Sequence, residues 1–316
     1  MVLIITDFLD QSINDFIDWL YFYKKKYLII QNTDIVDVEY VDINNMIFKL
    51  IINNVNEINS QDVEYFIYRK GFLNINIDVL ENSLNPSEFK AYLNNEVSKL
   101  QEIIFYILQK KVKKYFGDFF LGDTNKLFYL LKALESELKI PETLICNNKS
   151  RLLDFYNIQN QKIITKSISE CYSEIKDGYL FYNYTSSVND DSINKIKEDF
   201  FYSLFQNKIN KNYEIRVFFI YDSFFPLALF YDNDIDDYRE NYNKLECMAP
   251  INLPEDILYK LKHFIKVNNF TTGSIDMIFS DNEYYFLEIN PNGQFGFVSN
   301  IYNVSIEKEI INSLLF

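Results

Sequence analysis

Asp276, Glu288 and Asn290 fall in two β-prone runs, GSIDMIFS (273–280) and YYFLEIN (284–290). Successive strand residues point to opposite faces. Glu288 and Asn290 therefore share one face, and Tyr285, Leu287 and Ile289 share the other. Ile275, Met277 and Phe279 alternate with Ser274, Asp276 and Ile278 in the same way. A three-residue turn over Asp281, Asn282 and Glu283 sets Asp276 opposite Glu288 and matches the two apolar faces. A slip by one mismatches them, and a two-residue turn puts the two acids on opposite faces. Carboxylates directly opposite one another repel, a cost that a cation between them removes. Two carboxylates and an amide oxygen suit a hard ion such as Mg²⁺. Taken alone, the pattern fits equally well an ordinary surface hairpin with acids on its wet side.

Other residues widen the chemistry. Lys126 lies in the first turn of a helix capped by Asp123 or Thr124 and carrying Leu127, Leu130, Leu131, Leu134 and Leu138. A cation there opposes the helix dipole unless an anion is near. Lys166 in KIITKSI shares a face with Ile164 and Ile168, so it snorkels or meets a phosphate. Glu214 and Arg216 in YEIRVFFIY share a face with Phe218; a Glu and an Arg so spaced commonly form a surface pair of little worth. Arg69-Lys70 closes the strand VEYFIYR, a basic pair that could bind substrate and is usually solvated. Two lysines can hold nucleotide phosphates, three oxygen ligands can hold bridging Mg²⁺, and an arginine can stabilise charge during phosphoryl transfer. No GxxxxGK[ST] and no GxGxxG occurs, which excludes P-loop and Rossmann nucleotide sites.

The elements that must position these groups are those of an α/β protein. The 316 residues suffice for two or three small domains, and 48% hydrophobic with 17% aromatic residues excludes a disordered chain. A net charge of −14 argues against nucleic acid as partner. Three cysteines, none in a CxxC pair, point to a reducing cytoplasm, and a single histidine, His263 in a helical stretch, excludes a His-based triad or multi-His metal site. No signal peptide and no membrane span is read. Val2–Ile5, Ser12–Phe22 and Tyr27–Ile30 read as a βαβ start. Boundaries are expected for an N-terminal α/β domain over 1–121, a central unit over 122–204 and a C-terminal unit over 205–316. In the central unit, 171–184 reads as a hairpin around Asp177-Gly178 and 190–200 as a charged helix. In the third, 205–210 reads as a connector, 213–231 as a hairpin turning at Asp222-Ser223, and 254–267 as an amphipathic helix.

The set resembles the ATP-grasp superfamily over almost the whole chain, and more closely the peptide maturases of graspetide pathways, the grasp-with-spasm branch related to microviridin ligases. The segments that carry it are 125–145, SLFQ (203–206), YEIRVFF (213–219), DIDDYR (234–239), NFTTGSIDMIF (269–279) and FLEINPNGQFGFVS (286–299). The resemblance implies an α/β (α+β) ATP-grasp fold in three parts, with ATP between the central domain and a C-terminal antiparallel-sheet domain. It implies a ligase that activates an Asp or Glu side chain of a ribosomal precursor peptide as an acyl phosphate and joins it to a Ser or Thr hydroxyl, releasing ADP and phosphate. Lys126 and Lys166 would then contact ATP phosphates. Main-chain groups of Gln206, Asn207, Lys208 and Ile209 would read adenine, and Glu214 the ribose. Asp276, Glu288 and Asn290 would hold two Mg²⁺, and Arg216 would steady the acyl phosphate. Asp190 and Asp191 would meet the leader, Asp236 and Arg239 the core peptide. A cytoplasmic homo-oligomer without nucleic-acid or membrane partners is expected. An ATP-grasp amide ligase and a non-catalytic nucleotide-binding protein are the alternatives. The sequence departs from the family at Arg69-Lys70-Gly71, where relatives carry Arg-Arg-Gly, and at 300–304, which lacks a Pro-Cys pair.

Overall fold

The computed structural model describes residues 1–77, 86–122, 125–169, 173–176, 179–182, 184–231 and 245–316. The chain forms two compact units, Met1–Asp123 with Pro291–Phe316, and Thr124–Asn290.

The first unit is built on β1 (Val2–Thr6), whose five residues are all buried. An uninterrupted apolar run of this kind is what a strand covered on both faces requires. After α1 (Ser12–Phe22), β2 (Tyr27–Gln31) returns parallel to β1, as the βαβ reading expects. The antiparallel strands β3 (Ile35–Asp42), β4 (Ile47–Ile52) and β5 (Asn56–Asn59) follow. Then come β6 (Tyr65–Arg69), β7 (Asn74–Ile75), α2 (Pro86–Lys111) and β8 (Lys114–Phe116). Two sheets result, β2-β1-β6-β8, all parallel, and β5-β4-β3-β7. Helix α1 buries Ile13, Phe16 and Leu20, and α2 buries Ile104, Phe105, Ile107 and Leu108.

The second unit opens with α3 (Lys126–Glu135), β9 (Thr143–Asn148), α4 (Lys149–Ile158) and β10 (Ile163–Lys166). Asn125 caps α3 by accepting from the Leu127 and Phe128 amides at 3.1 and 3.2 Å. The cap is thus one or two residues later than Asp123 or Thr124, both of which lie outside the described residues. Replacing Asn125 by Ala leaves those amides without that acceptor and is expected to cost about 1 kcal/mol of stability, read from the shift in denaturant midpoint at unchanged slope. The chain continues through the hairpin β11 (Ser173–Lys176) and β12 (Tyr179–Tyr182), then β13 (Ser186–Val188), α5 (Asp190–Lys195) and β14 (Asp199–Asn207). Asp177 and Gly178, the expected turn of that hairpin, lie outside the described residues. The charged helix ends at Lys195, because the aromatic run Phe200-Phe201-Tyr202 favours a strand. Phe205, Gln206 and Asn207, read as connector, belong to that strand. An antiparallel sheet β13-β10-β14-β9 forms.

The last strands are β15 (Tyr213–Ile220), β16 (Ser223–Tyr231) and β17 (Leu245–Pro250), then α6 (Glu255–Val267), β18 (Thr272–Ser280) and β19 (Glu283–Asn290). They order as β17-β16-β15-β18-β19, all antiparallel. The β15–β16 turn is Tyr221-Asp222, one residue before its expected place. Among the described residues no helix is long and apolar enough to cross a membrane.

The β18–β19 hairpin corrects the sequence reading in its turn while keeping its key pairing. Ser280 pairs with Glu283, so the turn is the two residues Asp281 and Asn282, with φ of 49° and 63°. Positive φ at both central positions is the primed turn that matches strand twist. A β-bulge then inserts Leu287: Met277 pairs with Phe286, and Asp276 with Glu288. Without the bulge, Leu287 would face Asp276 and Glu288 would face the buried Ile275. Burying an unpaired carboxylate costs more than one irregular pair. The core residue of this stretch is Phe286, fully buried, with Ile289. Leu287 and Tyr285, expected in the core, are only half-buried. Beyond Asn290 the chain rejoins the first unit with α7 (Gly296–Tyr302) and α8 (Ile306–Leu315). There the Trp19 indole donates to Ser305 Oγ at 3.1 Å and the Tyr23 hydroxyl to Asn312 Oδ1 at 2.7 Å.

Candidate active site

The second unit gathers a row of four charged side chains. Arg216 on β15 lies directly opposite Asp276 on β18, which lies opposite Glu288 on β19. The Arg216 guanidinium grips Asp276 with two nitrogens, Nε to Oδ1 at 2.5 Å and Nη2 to Oδ2 at 3.0 Å. Lys126 Nζ lies 3.2 Å from Glu288 Oε2. The row runs plus, minus, minus, plus, so each carboxylate has its own cation and the repulsion between neighbouring acids is offset. Glu288 is also the anion that the first turn of α3 needs beside Lys126. The pairs are partly exposed, so each adds little to stability; their content is positional. Asn290 is exposed at the end of β19, opposite Ser274.

Arg216 does not pair with Glu214. Glu214 is held instead by Lys211, Nζ to Oε1 at 2.5 Å. Lys211 was not singled out in the sequence; its place three residues before an acid was the available signal.

A cavity of about 510 Å³ opens beside this row, with Lys166, Gln206, Lys208, Ile209, Glu214 and Leu287 on its wall. A smaller one of about 40 Å³ is lined by Lys126, Lys166, Leu204, Leu287 and Glu288. Lys166, Thr185 and Leu287 belong to both, so the two are neighbours. Asn207 also lines the larger cavity. The fold thereby brings together Lys126, Lys166, residues 206–209, Glu214 and Glu288, whose separation in sequence hides this. Thr185 and the bulge residue Leu287 were not anticipated.

The stretch 206–209 is partly committed to the sheet. The Asn207 amide donates to Glu142 O at 3.0 Å, and the Lys208 amide to Lys162 O at 2.8 Å. Gln206 is buried and its Nε2 donates to Thr143 Oγ1 at 2.9 Å. A planar ring entering here would therefore meet the main chain past the end of β14, at Ile209, rather than the Asn207 and Lys208 amides.

Asp190 and Asp191 lie in the first turn of α5 and line neither cavity. Asp190 accepts from the Tyr156 hydroxyl at 2.9 Å. Asp236 and Arg239 lie outside the described residues. His263 is exposed on α6, in keeping with a plain helix position. Among the described residues no three acidic, histidine or cysteine side chains converge. The candidate ligand set is two carboxylates and an amide oxygen, a donor set that fits Mg²⁺.

No family model and no curated protein matches the sequence. Solved structures do match it. Macrocyclase MdnC from Microcystis aeruginosa MRC, bound with precursor peptide MdnA, superposes with a TM-score of 0.79 at 23% identity over 100% of this chain and 99% of that one. A RiPP-associated ATP-grasp ligase from Chryseobacterium gregarium, in complex with ADP and a leader and core peptide, gives 0.76 at 21% identity over 99% and 96%. ATP-grasp ligase PsnB, complexed with minimal precursor, Mg and ADP, gives 0.73 at 14% identity over 99% and 96%. The likeness runs end to end, and the strands that carry Arg216, Asp276 and Glu288 lie within it: this chain has the ATP-grasp fold.

Proposed function

We propose that the protein is an ATP-dependent peptide macrocyclase. It converts an Asp or Glu side chain of a ribosomal precursor peptide to an acyl phosphate and joins it to a Ser or Thr hydroxyl of the same peptide. The observation that carries the reading is the Arg216–Asp276–Glu288–Lys126 row, whose Lys126 and Glu288 line the small cavity that shares Lys166, Thr185 and Leu287 with the larger one. The end-to-end likeness to ligases solved with precursor peptides and with ADP and Mg supports it.

In this reading Lys126 and Lys166 neutralise the nucleotide phosphates, the 206–209 stretch holds the adenine through its main chain at Ile209, and Glu214 takes the ribose hydroxyls. Asp276, Glu288 and Asn290 hold two Mg²⁺, which supply charge neutralisation at the transferred phosphoryl group. Arg216 lies beside Asp276, and its fork-shaped donor set matches an acyl phosphate as well as it matches a carboxylate. Transfer to the peptide carboxylate releases ADP. Attack by the hydroxyl then forms the ester and expels phosphate, the hydroxyl proton leaving with it. The central segment and the β15–β19 sheet are the two walls of the nucleotide site. Asp190, Asp191, Asp236 and Arg239 remain assigned to the peptide. A reducing cytoplasm suits the free Cys146 and Cys247, and self-association is part of the same reading.

The test is to incubate the protein with ATP, Mg²⁺ and a precursor peptide encoded beside its gene, then weigh the peptide. Loss of one water per ring is expected. No loss with any neighbouring precursor overturns the proposal, and a mass gain assigns the chain to amide ligation instead.

A further inference from the structure

Strand β18 carries three buried hydroxyls on one face, those of Thr272, Ser274 and Ser280. Two of them are spent on neighbouring carbonyls. Thr272 Oγ1 donates to Phe219 O at 3.0 Å, and Ser280 Oγ to Asn210 O at 2.8 Å. Ser274 is the exception: it is only 1% exposed, and its Oγ has no hydrogen-bond partner among the described residues. A buried hydroxyl left unmet costs about 1–3 kcal/mol, which alanine at the same place would not. The strand register identifies its neighbours. Ser274 lies opposite Asn290 on β19 and opposite Phe218 on β15, and Asp276 follows on the same face. Ser274, Asp276, Glu288 and Asn290 thus form the four corners of one square, and three of those corners are the candidate Mg²⁺ ligands.

Depth decides what the fourth corner can do. The side chains of Asp276 and Glu288 are 26% and 28% exposed and Asn290 is exposed, whereas Ser274 is sealed from solvent. A cation held by the three ligands is therefore influenced by this hydroxyl through one of them. The Phe218 ring has no polar atom to offer, and Asp276 is already oriented by two nitrogens of Arg216. Asn290 has the most to gain from a fixed orientation. Its amide ends in an oxygen and a nitrogen of similar size, and only the oxygen binds a cation. A hydroxyl oxygen directly across the ladder can accept from Nδ2, which turns Oδ1 the other way. Hydrogen bonds behind a ligand fix which atom meets the metal and raise the affinity of the site.

We propose that Ser274 is a positioning residue, whose hydroxyl accepts from Asn290 Nδ2 and so presents Asn290 Oδ1 to the cation. The inference rests on the metal reading of the β18–β19 hairpin given above. The test is calorimetric titration of Mg²⁺ into the full chain saturated with ADP, with no precursor peptide present. Ser274→Ala should raise the half-saturating Mg²⁺ concentration roughly tenfold. It should leave the affinity for ADP without Mg²⁺ unchanged. It should also melt no lower than the parent in metal-free buffer, because it removes an unmet hydroxyl. In an Asn290→Ala background the same substitution should change the Mg²⁺ requirement no further. A parental Mg²⁺ requirement in Ser274→Ala overturns the proposal. So does a loss of equal size in the Asn290→Ala background, which marks a general packing effect. A parent that binds ADP but no Mg²⁺ overturns the metal reading and this inference together. A ring-forming parent whose Mg²⁺ requirement ignores Ser274→Ala overturns this inference alone.

Discussion

Glu288→Gln is expected to lower ATP-dependent turnover of the precursor by roughly 10³-fold, since loss of a charged ligand that neutralises a transferring phosphoryl group is worth several kcal/mol. The substitution keeps shape and removes charge. Asp276, directly opposite, keeps its own hold on Arg216 and cannot replace the missing carboxylate without releasing it. The fold should barely respond. Glu288 is 28% exposed in its side chain, so losing its pair with Lys126 costs about 1 kcal/mol or less. The measurement is ADP release beside a thermal melt. A variant that keeps more than about a tenth of the activity would remove the β18–β19 hairpin from the phosphoryl-transfer step. Glu283→Gln is the control: Glu283 also carries an ion pair, to Lys139 Nζ at 3.2 Å, but it stands at the turn and should cost nothing measurable in turnover.

Gly71→Ala should cost roughly 3 kcal/mol or more of stability. A Cβ at this position would lie 2.6, 2.7 and 2.8 Å from the N, C and Cα atoms of Thr6. Those are backbone atoms of β1, the strand buried on both faces, so no side chain can yield. Either β1 or the turn after β6 must move, and the second choice shifts Arg69 and Lys70. Urea unfolding of the full chain, followed by aromatic fluorescence and by far-ultraviolet dichroism, measures this. Gly296→Ala is the counterpart: nothing lies within 4 Å of its Cβ position, and in α7 alanine is the better helix former. A Gly71→Ala variant within about 1 kcal/mol of the parent would mean that the end of β6 slides freely along β1.

Alternating residues made one face of β18 and the end of β19 legible from sequence. The pairing of Asp276 with Glu288 follows from that alternation, but the expected three-residue turn does not exist. The chain reaches the same pairing through a two-residue turn and the Leu287 bulge. A bulge leaves no compositional mark, because it is selected by what would otherwise be buried, here Glu288 opposite Ile275. The adjacent pair Asp281-Asn282 did carry a signal, as both residue types tolerate the left-handed conformation they adopt. In the meander β3–β5 the eight-residue β3 mixes Asp37 and Glu39 among its apolar residues and buries only Val36, which masks it as a strand, whereas β4 alternates Phe48, Leu50 and Ile52 inward and was legible. Arg69, read as part of a solvated strand end, is buried, and was misjudged for a different reason. Its partners Asp10 and Gly293 are 59 and 224 positions away, so no local window contains them. The pairing of Lys126 with Glu288 is long-range in the same way. Single residues suggested the roles, and the antiparallel packing of β10 on β14 and of β15 on β18 brings those residues together.

The plus-minus-minus-plus row has a consequence for which cations the protein notices. With Arg216 on Asp276 and Lys126 on Glu288, the resting row has no net charge. A neutral row exerts little pull on stray calcium or manganese, because a divalent ion would have to displace two tethered cations without help. An incoming polyphosphate changes the balance, since it offers Lys126 and Arg216 a stronger anion than either carboxylate. Under the proposed function the acids would then become available only with the nucleotide present, so the same four residues would favour metal that arrives on the nucleotide over free ions.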